Sequence, residues 1–286
     1  MITNEVVNQA IDYILRHIEE EISLETVAKA CHLSKYYFCR TFKAETGEGV
    51  YEFIRRVRLE QSAFRLKTER QRSITAISAD YGYSSSNYSS AFKGHYHVTP
   101  VVFRKNSRKK TMEHPFFHQE SWQAESFEEC NKKMVLKELP DCYVIYERGF
   151  GSYEYLSRSW KGFLEKYREY LTENTRFFER TYDDPAVTQK KNCLYDICMS
   201  VKRDCSLENT TTIQGGRYMA YSYKGHIKDI YKAYQTIFLE WLPRVSYELD
   251  SSRSLFDLYH QVEVMSPTEG AEMFYIEMEI CVPIRD

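Results

Sequence analysis

Three groups of side chains in this 286-residue chain have types and spacing that suit chemistry. The first is Lys35, Tyr36, Cys39, Arg40 and Lys43. At 3.6 residues per turn they share one side of a short helix, while Phe38 and Phe42 take the other. A cationic, aromatic face on a short helix suits nucleic-acid phosphates and base edges. The second group repeats the pattern about fifty residues later in more neutral form. Ser84, Ser85, Ser86, Asn87, Ser90 and Lys93 precede or flank Phe92, and serines at a helix start can bond phosphate oxygens. The third group lies in the rear half and is aromatic with acids: Tyr146, Tyr153, Trp160, Tyr223, Trp241, Asp257, Tyr259, Tyr275 and Glu277. Aromatic faces attract cations, and an unpaired buried carboxylate favours a positively charged ligand.

Other chemistries have little support. The eight cysteines include no CxxC pair, the closest spacing being Cys193 to Cys198, so neither a disulfide framework nor a zinc site is expected. His114 and His118 are four apart, but Pro115 and Phe116–Phe117 make that segment a loop, and no metal is expected there. No cofactor motif is present. No nucleophile–base pair stands out, so no catalytic residue is expected. The one enzymatic alternative is a small-molecule hydrolase using Glu277, Glu279 or Asp257 as general base.

The net charge of −2 conceals a division. Residues 1–110 carry 18 Lys and Arg against 12 Asp and Glu, leaving 21 against 29 for the remainder. A basic front suits DNA, and an acidic rear suits neutral or cationic partners. No apolar run is long enough to cross a membrane, and the start lacks the pattern of a signal peptide, so a cytoplasmic protein is expected.

Apolar residues from Val6 to Ile18 recur at helical spacing. Ser23 caps a short helix from Leu24 to Ala30, the tetrad Cys31–Ser34 makes a tight turn, and a helix from Lys35 stops at Gly47. Two short helices with a basic outer face on the second make a helix-turn-helix. A long helix from about Val50 to Lys67 follows, carrying Arg55, Arg56, Arg58 and Arg65, which are either phosphate binders or a solvated face. Ser73 then opens a second helix-turn-helix with Gly82 at its turn. The long helix spans roughly 27 Å at 1.5 Å per residue, the order needed to set two recognition helices about one DNA turn apart. Thr99–Pro100 starts a last helical turn ending in Phe103–Arg104. Residues 107–133 read as a linker with one helical turn.

From Met134 the pattern changes to strands: Val135–Leu136, a Pro140–Asp141 turn, and Tyr143–Tyr146. A helix through Leu156, Trp160, Phe163 and Leu164 comes next. The sequence Tyr218–Tyr223, Gly225 and a helix to Trp241–Pro243 repeats that order. In the last strand Phe274, Ile276, Met278 and Ile280 alternate with Tyr275, Glu277 and Glu279. The expected chain is multidomain. Residues 1–106 form an all-α domain with two helix-turn-helix units joined by a long helix. Residues 134–286 form an α+β domain of duplicated strand–helix–strand units with pseudo-twofold symmetry.

The order L-x-x-V-A, S-K-x-x-F-x-R-x-F-K, paired arginines, I-x-x-I-S, G-Y, A-F-K and T-P-x-x-F-R resembles the DNA-binding domain of the AraC/XylS family. The order E-L-P-x-x-x-V-x-Y, G-x-Y, YDDPAVT, GGRYMAYSYKG, EWLP and YIEMEICVPI resembles the GyrI-like effector-binding domain. The first resemblance implies that Arg40 reads the major groove and that Tyr36 touches base edges. Cys39 stands where polar residues are common. It also implies a partnership with RNA polymerase and transcription activation. Ser90 stands where the family often has arginine, and the second unit looks one residue short between Gly82 and Phe92. The first unit is therefore expected to specify sequence and the second to position the protein. The second resemblance implies a cleft for a small, cationic or aromatic effector. Asp257 and Tyr259 stand where relatives have a glutamate and a tyrosine. A constitutive DNA binder with a rear partner-docking module is the other reading.

Overall fold

The apolar residues Val7, Ala10, Ile11 and Ile14 are fully buried along α1 (Glu5–Arg16), the first helix of the computed structural model, which describes residues 1–112, 125–265 and 273–285. Asn4 caps it, accepting from the Val7 N–H at 3.2 Å. Helices α2 (Leu24–Ala30), α3 (Lys35–Thr46), α4 (Val50–Thr68), α5 (Ile74–Asp80), α6 (Ser85–Tyr96) and α7 (Pro100–Met112) follow. Serines begin four of them. Ser23, Ser34, Ser73 and Ser84 each accept from the backbone N–H three residues on, satisfying a donor that the first turn leaves free.

The two helix-turn-helix units repeat residue for residue. Leu24 and Ile74 open the first helices, and Lys35 and Ser85 open the second. At the turn His32 has φ 56° and Gly82 has φ 75°. Glycine adopts this left-handed conformation without steric cost, whereas His32 is held in it by its neighbours. Helices α3 and α6 have 12 residues each, so the second unit matches the first in length. Phe38, Phe42 and Phe53 pack edge to face in one unit, and Tyr88, Phe92 and Phe103 occupy the same places in the other. The Tyr88 hydroxyl donates to Ser62 on α4 at 2.9 Å.

The four arginines of α4 divide in a way the sequence did not indicate. Arg56 is buried between Glu48 and Glu60 at 2.5 and 2.8 Å, and Arg65 between Glu19, Glu69 and Asp80 at 3.1, 2.7 and 2.7 Å. Arg58 donates to the carbonyls of Ile18 and Glu20. These three fasten α4 to its neighbours, and Arg55 remains exposed. Helix α7 continues to Met112, well past the Phe103–Arg104 end expected for it.

The chain divides into two units. One consists of Met1–Lys110 with Arg148–Ser152 and Asp183–Leu194, and the other of Thr111–Glu147, Tyr153–Tyr182 and Tyr195–Asp286. The two short segments join the helical unit through named contacts. Arg148 donates to Asp12 at 2.6 Å and to the Asn8 carbonyl at 3.0 Å, and buried Lys67 pairs with Asp184 at 2.6 Å.

In the second unit a capping box of Ser126 and Glu129 starts α8 (Phe127–Lys133). Then come β1 (Met134–Leu139), β2 (Cys142–Phe150), α9 (Leu156–Lys166), β3 (Phe177–Thr181), β4 (Leu194–Ser200), β5 (Thr210–Ile213), β6 (Gly216–His226), α10 (Ile230–Gln235), β7 (Leu255–Met265) and β8 (Met273–Pro283). They make one eight-stranded sheet in the order β1-β6-β8-β7-β3-β4-β2-β5. The pairs β1–β6, β6–β8, β7–β8, β3–β7, β3–β4 and β2–β5 are antiparallel. Alternation along the strands sends residues to two faces. On one face Ile145, Tyr195, Ile197 and Met199 pack against Phe163 and Tyr167 from the α9 region; on the other, Val144, Tyr146, Phe178, Tyr218 and Phe256 form a second cluster. Helix α10 runs into a wider π-helical turn, Thr236–Trp241, whose six residues are all buried.

Candidate DNA-reading helices and effector site

The two recognition helices present their expected faces to solvent. On α3, Lys35, Tyr36, Arg40 and Lys43 are exposed, Tyr36 at 79%, and Cys39 is half-buried. Lys35 pairs with Glu25 at 2.5 Å across the turn, which leaves it less available to phosphate. That pairing holds the Glu25 carboxyl below its ordinary range through the lysine hydrogen bond. The Arg40 guanidinium lies over the Tyr37 ring, 5.7 Å from its centre. Tyr37, itself 48% exposed, was not among the residues picked from sequence. Its i, i+3 spacing to Arg40 was the available signal. On α6, Ser85, Ser86, Asn87, Ser90 and Lys93 are all exposed.

The rear candidates separate into those the fold gathers and those it does not. On β3 and β7, Glu179 and Asp257 stand directly opposite each other and share a face of the sheet. Both are buried, at 4% and 1% exposure. The Tyr259 hydroxyl donates to Glu179 at 3.0 Å, and the Tyr234 hydroxyl from α10 donates to Asp257 Oδ2 at 2.5 Å. Trp160 from α9 packs edge-on to Tyr259 at 5.8 Å and to Phe177 at 6.2 Å, and Tyr234 stacks on Phe238 at 6.3 Å. Trp160, Tyr259 and Tyr234 each keep part of their surface exposed. Two buried acids thus lie under a partly open aromatic wall.

The electrostatics follow from that burial. Desolvation pushes the Glu179 carboxyl up to about 7, opposed by hydrogen bonds from Tyr259 and Trp160. Burial also raises Asp257 well above the carboxylate range, and the neighbouring Glu179 charge adds to this. Burial beside these acids keeps both phenols neutral, so they remain donors. Among the described residues, Asp257 Oδ1 is buried with no hydrogen-bond partner.

Trp160, Asp257 and Tyr259 are therefore together; Tyr153 packs on the same cluster as Trp160, Tyr223 shares the sheet face of Tyr259 through Met278, and the other predicted rear residues lie elsewhere. Tyr146 is 2% exposed in the opposite-face cluster, beneath the Arg180 guanidinium at 5.5 Å. Trp241 is fully buried and donates its indole N–H to Asn131 at 2.9 Å. Tyr153 stacks on Tyr195 at 5.0 Å. Tyr223 donates to the His226 carbonyl at 2.7 Å, and Tyr275 packs on His226 at 5.6 Å. Glu277 forms an ion pair with its cross-strand partner Lys224, and Glu279 pairs with Lys137 at 2.5 Å. Both acids alternate with buried Ile276, Met278 and Ile280 and so point away from Asp257's face. Glu179, Tyr234, Phe177 and Phe238 were missed. Glu179 follows Phe177–Phe178 and precedes Arg180, and this short stretch carries no local signal that sets the glutamate apart.

The described residues hold no group of three or more His, Cys, Asp or Glu suited to a metal, and no helix among them is long and apolar enough to cross a membrane. None of the eight cysteines is in a disulfide. His114 and His118 lie outside the described residues.

Comparison with known proteins agrees with both halves. Residues 132–285 match the GyrI-like small molecule binding domain, and residues 27–106 match a helix-turn-helix domain. The regulatory protein SoxS of Salmonella typhimurium is 33% identical over 101 residues, covering 35% of this chain and 94% of SoxS. PocR of the same organism is 33% identical over 108 residues, covering 37% of this chain and 35% of PocR, so the match spans about a third of that relative's length. The crystal structure of the EcmrR C-terminal domain aligns with 53% of this chain and 96% of its own at 19% identity and a TM-score of 0.43. The relatives are transcription regulators and the rear domain's family binds small molecules, so the hydrolase alternative finds no support among them. The chain is a DNA-binding transcription regulator of the AraC/XylS family whose rear half belongs to the GyrI-like small-molecule-binding domains.

Proposed function

We propose that this regulator activates transcription in response to a cationic aromatic effector held over Glu179 and Asp257. The carrying observation is the buried acid pair under Trp160, Tyr259 and Tyr234. A dry carboxylate without a cationic partner is costly, and a bound cation removes that cost while the rings supply cation–π attraction. Activation and contact with RNA polymerase rest on the family resemblance, and a cytoplasmic location on the sequence pattern together with that resemblance.

At the DNA end, Tyr36, Cys39, Arg40 and Lys43 are assigned to base edges and nearby phosphates, with Lys35 contributing charge beside its Glu25 partner. Ser85, Ser86, Asn87, Ser90 and Lys93 are assigned to backbone positioning. Helix α4 serves as the spacer between the two readers. The rear domain is proposed to be an internal duplication. What supports this is the strand order: outward from β3–β7, one wing runs β4, β2, β5 and the other β8, β6, β1. A twofold axis between β3 and β7 exchanges the repeats β1–β4 and β5–β8, each lending its first strand to the other's edge.

Two measurements test the reading. In gel shifts on a selected operator, affinity should fall steeply with salt as counterions are released. Arg40→Ala should weaken the specific complex by about 1–3 kcal/mol, a loss of roughly 5- to 150-fold, while much of the non-specific binding stays. Unchanged discrimination would remove Arg40 from the readout. In thermal shifts with lipophilic aromatic cations, stabilisation of the full chain but not of Glu179→Gln with Asp257→Asn is expected. No stabilisation by any such cation would end the effector assignment.

A further inference from the structure

Resting on the effector reading above, we infer that this site selects cations that carry N–H groups, such as amidinium, guanidinium or protonated amines, over quaternary cations clothed in carbon. Hydrogen-bond capacity makes the selection. An ionised carboxyl offers several acceptor positions and donates nothing. The donors beside the pair are already engaged: Tyr259 and Trp160 serve Glu179, and Tyr234 serves Asp257 through Oδ2. Among the described residues no donor reaches Asp257 Oδ1, although Asp257 is only 1% exposed. Phe177 and Phe238 flank the site with no polar group to offer. The empty acceptor must be met by what binds.

A quaternary ammonium or a phosphonium brings charge to the site and leaves Oδ1 unbonded, so it keeps the full penalty of a buried unsatisfied acceptor. A planar amidinium brings the same charge with directed N–H bonds. Glu179 and Asp257 are direct cross-strand partners, and directly opposed residues hold their Cβ atoms about 5 Å apart. Two N–H groups on one amidinium carbon can therefore address one acid each, while the attached ring lies against Trp160. A site with one carboxyl could hold either kind of cation. Two acids with one acceptor unmet make the distinction.

The test is calorimetric titration of the full chain with a matched pair of monocations, 2-naphthamidinium and 2-naphthyltrimethylammonium, which share a ring and a charge. The amidinium should bind at least about tenfold more tightly, the lower range expected for one unmet buried acceptor. In Asp257→Asn that ratio should fall to within about threefold, since the amide places an N–H of its own at the position. Glu179→Gln should weaken both ligands and keep the wild-type ratio partly intact through Oδ1. Equal or tighter binding of the quaternary compound by the wild-type chain would overturn the N–H selection while leaving the cation site standing. Binding of neither would sink both.

Discussion

At the scale of the residue, Glu179 and Asp257 make the clearest demand. Burial holds the Glu179 carboxyl near 7 in the free protein, and Asp257 lies higher still. The other ionisable groups facing them are the phenols Tyr259 and Tyr234, which stay neutral and donate. A bound cation favours the ionised acids, so binding expels protons. Effector affinity should thus rise with pH, by up to tenfold per unit below about 7 for each proton released, and flatten above the highest free-state value. Titrations between pH 5.5 and 8.5 in two buffers of different ionisation enthalpy check both slope and proton release. An affinity independent of pH would mean that the acids are already charged. The same shift has a consequence for folding. A carboxyl raised from its unfolded value of 4.5 favours the folded state fully below that value, and this contribution is lost as pH climbs toward 7. The contribution of this carboxyl to ligand-free stability is then largest in acid and falls away as pH approaches 7. Asp257 and Tyr259 were found through the resemblance to the GyrI-like domain, in which an acid stands two residues before a tyrosine. Glu179 was not, because its partnership with Asp257 is made across strands 78 residues apart, and no local pattern records which strands become neighbours.

At the scale of the element, helices α3 and α6 have the same length, the same serine N-cap and the same buried aromatic positions, and differ in what they show to solvent. The first presents Tyr36 and an Arg40 braced on Tyr37, and the second presents serines, Asn87 and Lys93. An arginine bidentate to guanine distinguishes base pairs, whereas hydroxyls at a helix start bond phosphate without reading sequence. Base substitutions in the half-site under α3 should therefore cost about 1–3 kcal/mol each, and those under α6 a few tenths. A systematic substitution series over the operator measures this directly, and comparable losses in the two half-sites would refute the division of labour. These helices were legible in sequence because caps, apolar spacing and the turn residue are all local. The α4 arginines were not, since Arg56 and Arg65 find their acids at Glu48, Glu60, Glu19, Glu69 and Asp80, of which Glu19, Glu48 and Asp80 lie in loops or on α5. Charge alone could not tell a phosphate binder from a helix clamp.

At the scale of the molecule, a reader of DNA and a binder of small molecules share one polypeptide, and thermodynamics fixes one property of such a chain whatever its mechanism. If the effector changes affinity for the operator by some factor, the operator must change affinity for the effector by the same factor. A regulator responsive through affinity should show a factor of about 5 to 150, corresponding to about 1–3 kcal/mol of coupling. Effector titrations with and without saturating operator DNA, beside operator titrations with and without saturating effector, yield the two factors independently. Agreement at a value well away from one establishes communication between the basic front and the acidic rear. Factors both equal to one would mean that ligand occupancy does not alter DNA affinity. The response would then have to act on a later step at the promoter, or the rear half would serve as a docking module for another protein. Arg40→Ala supplies the internal control, because it should lower operator affinity with and without effector alike and leave the coupling factor unchanged. A variant of Glu179 should do the reverse, leaving ligand-free DNA binding intact while removing the response.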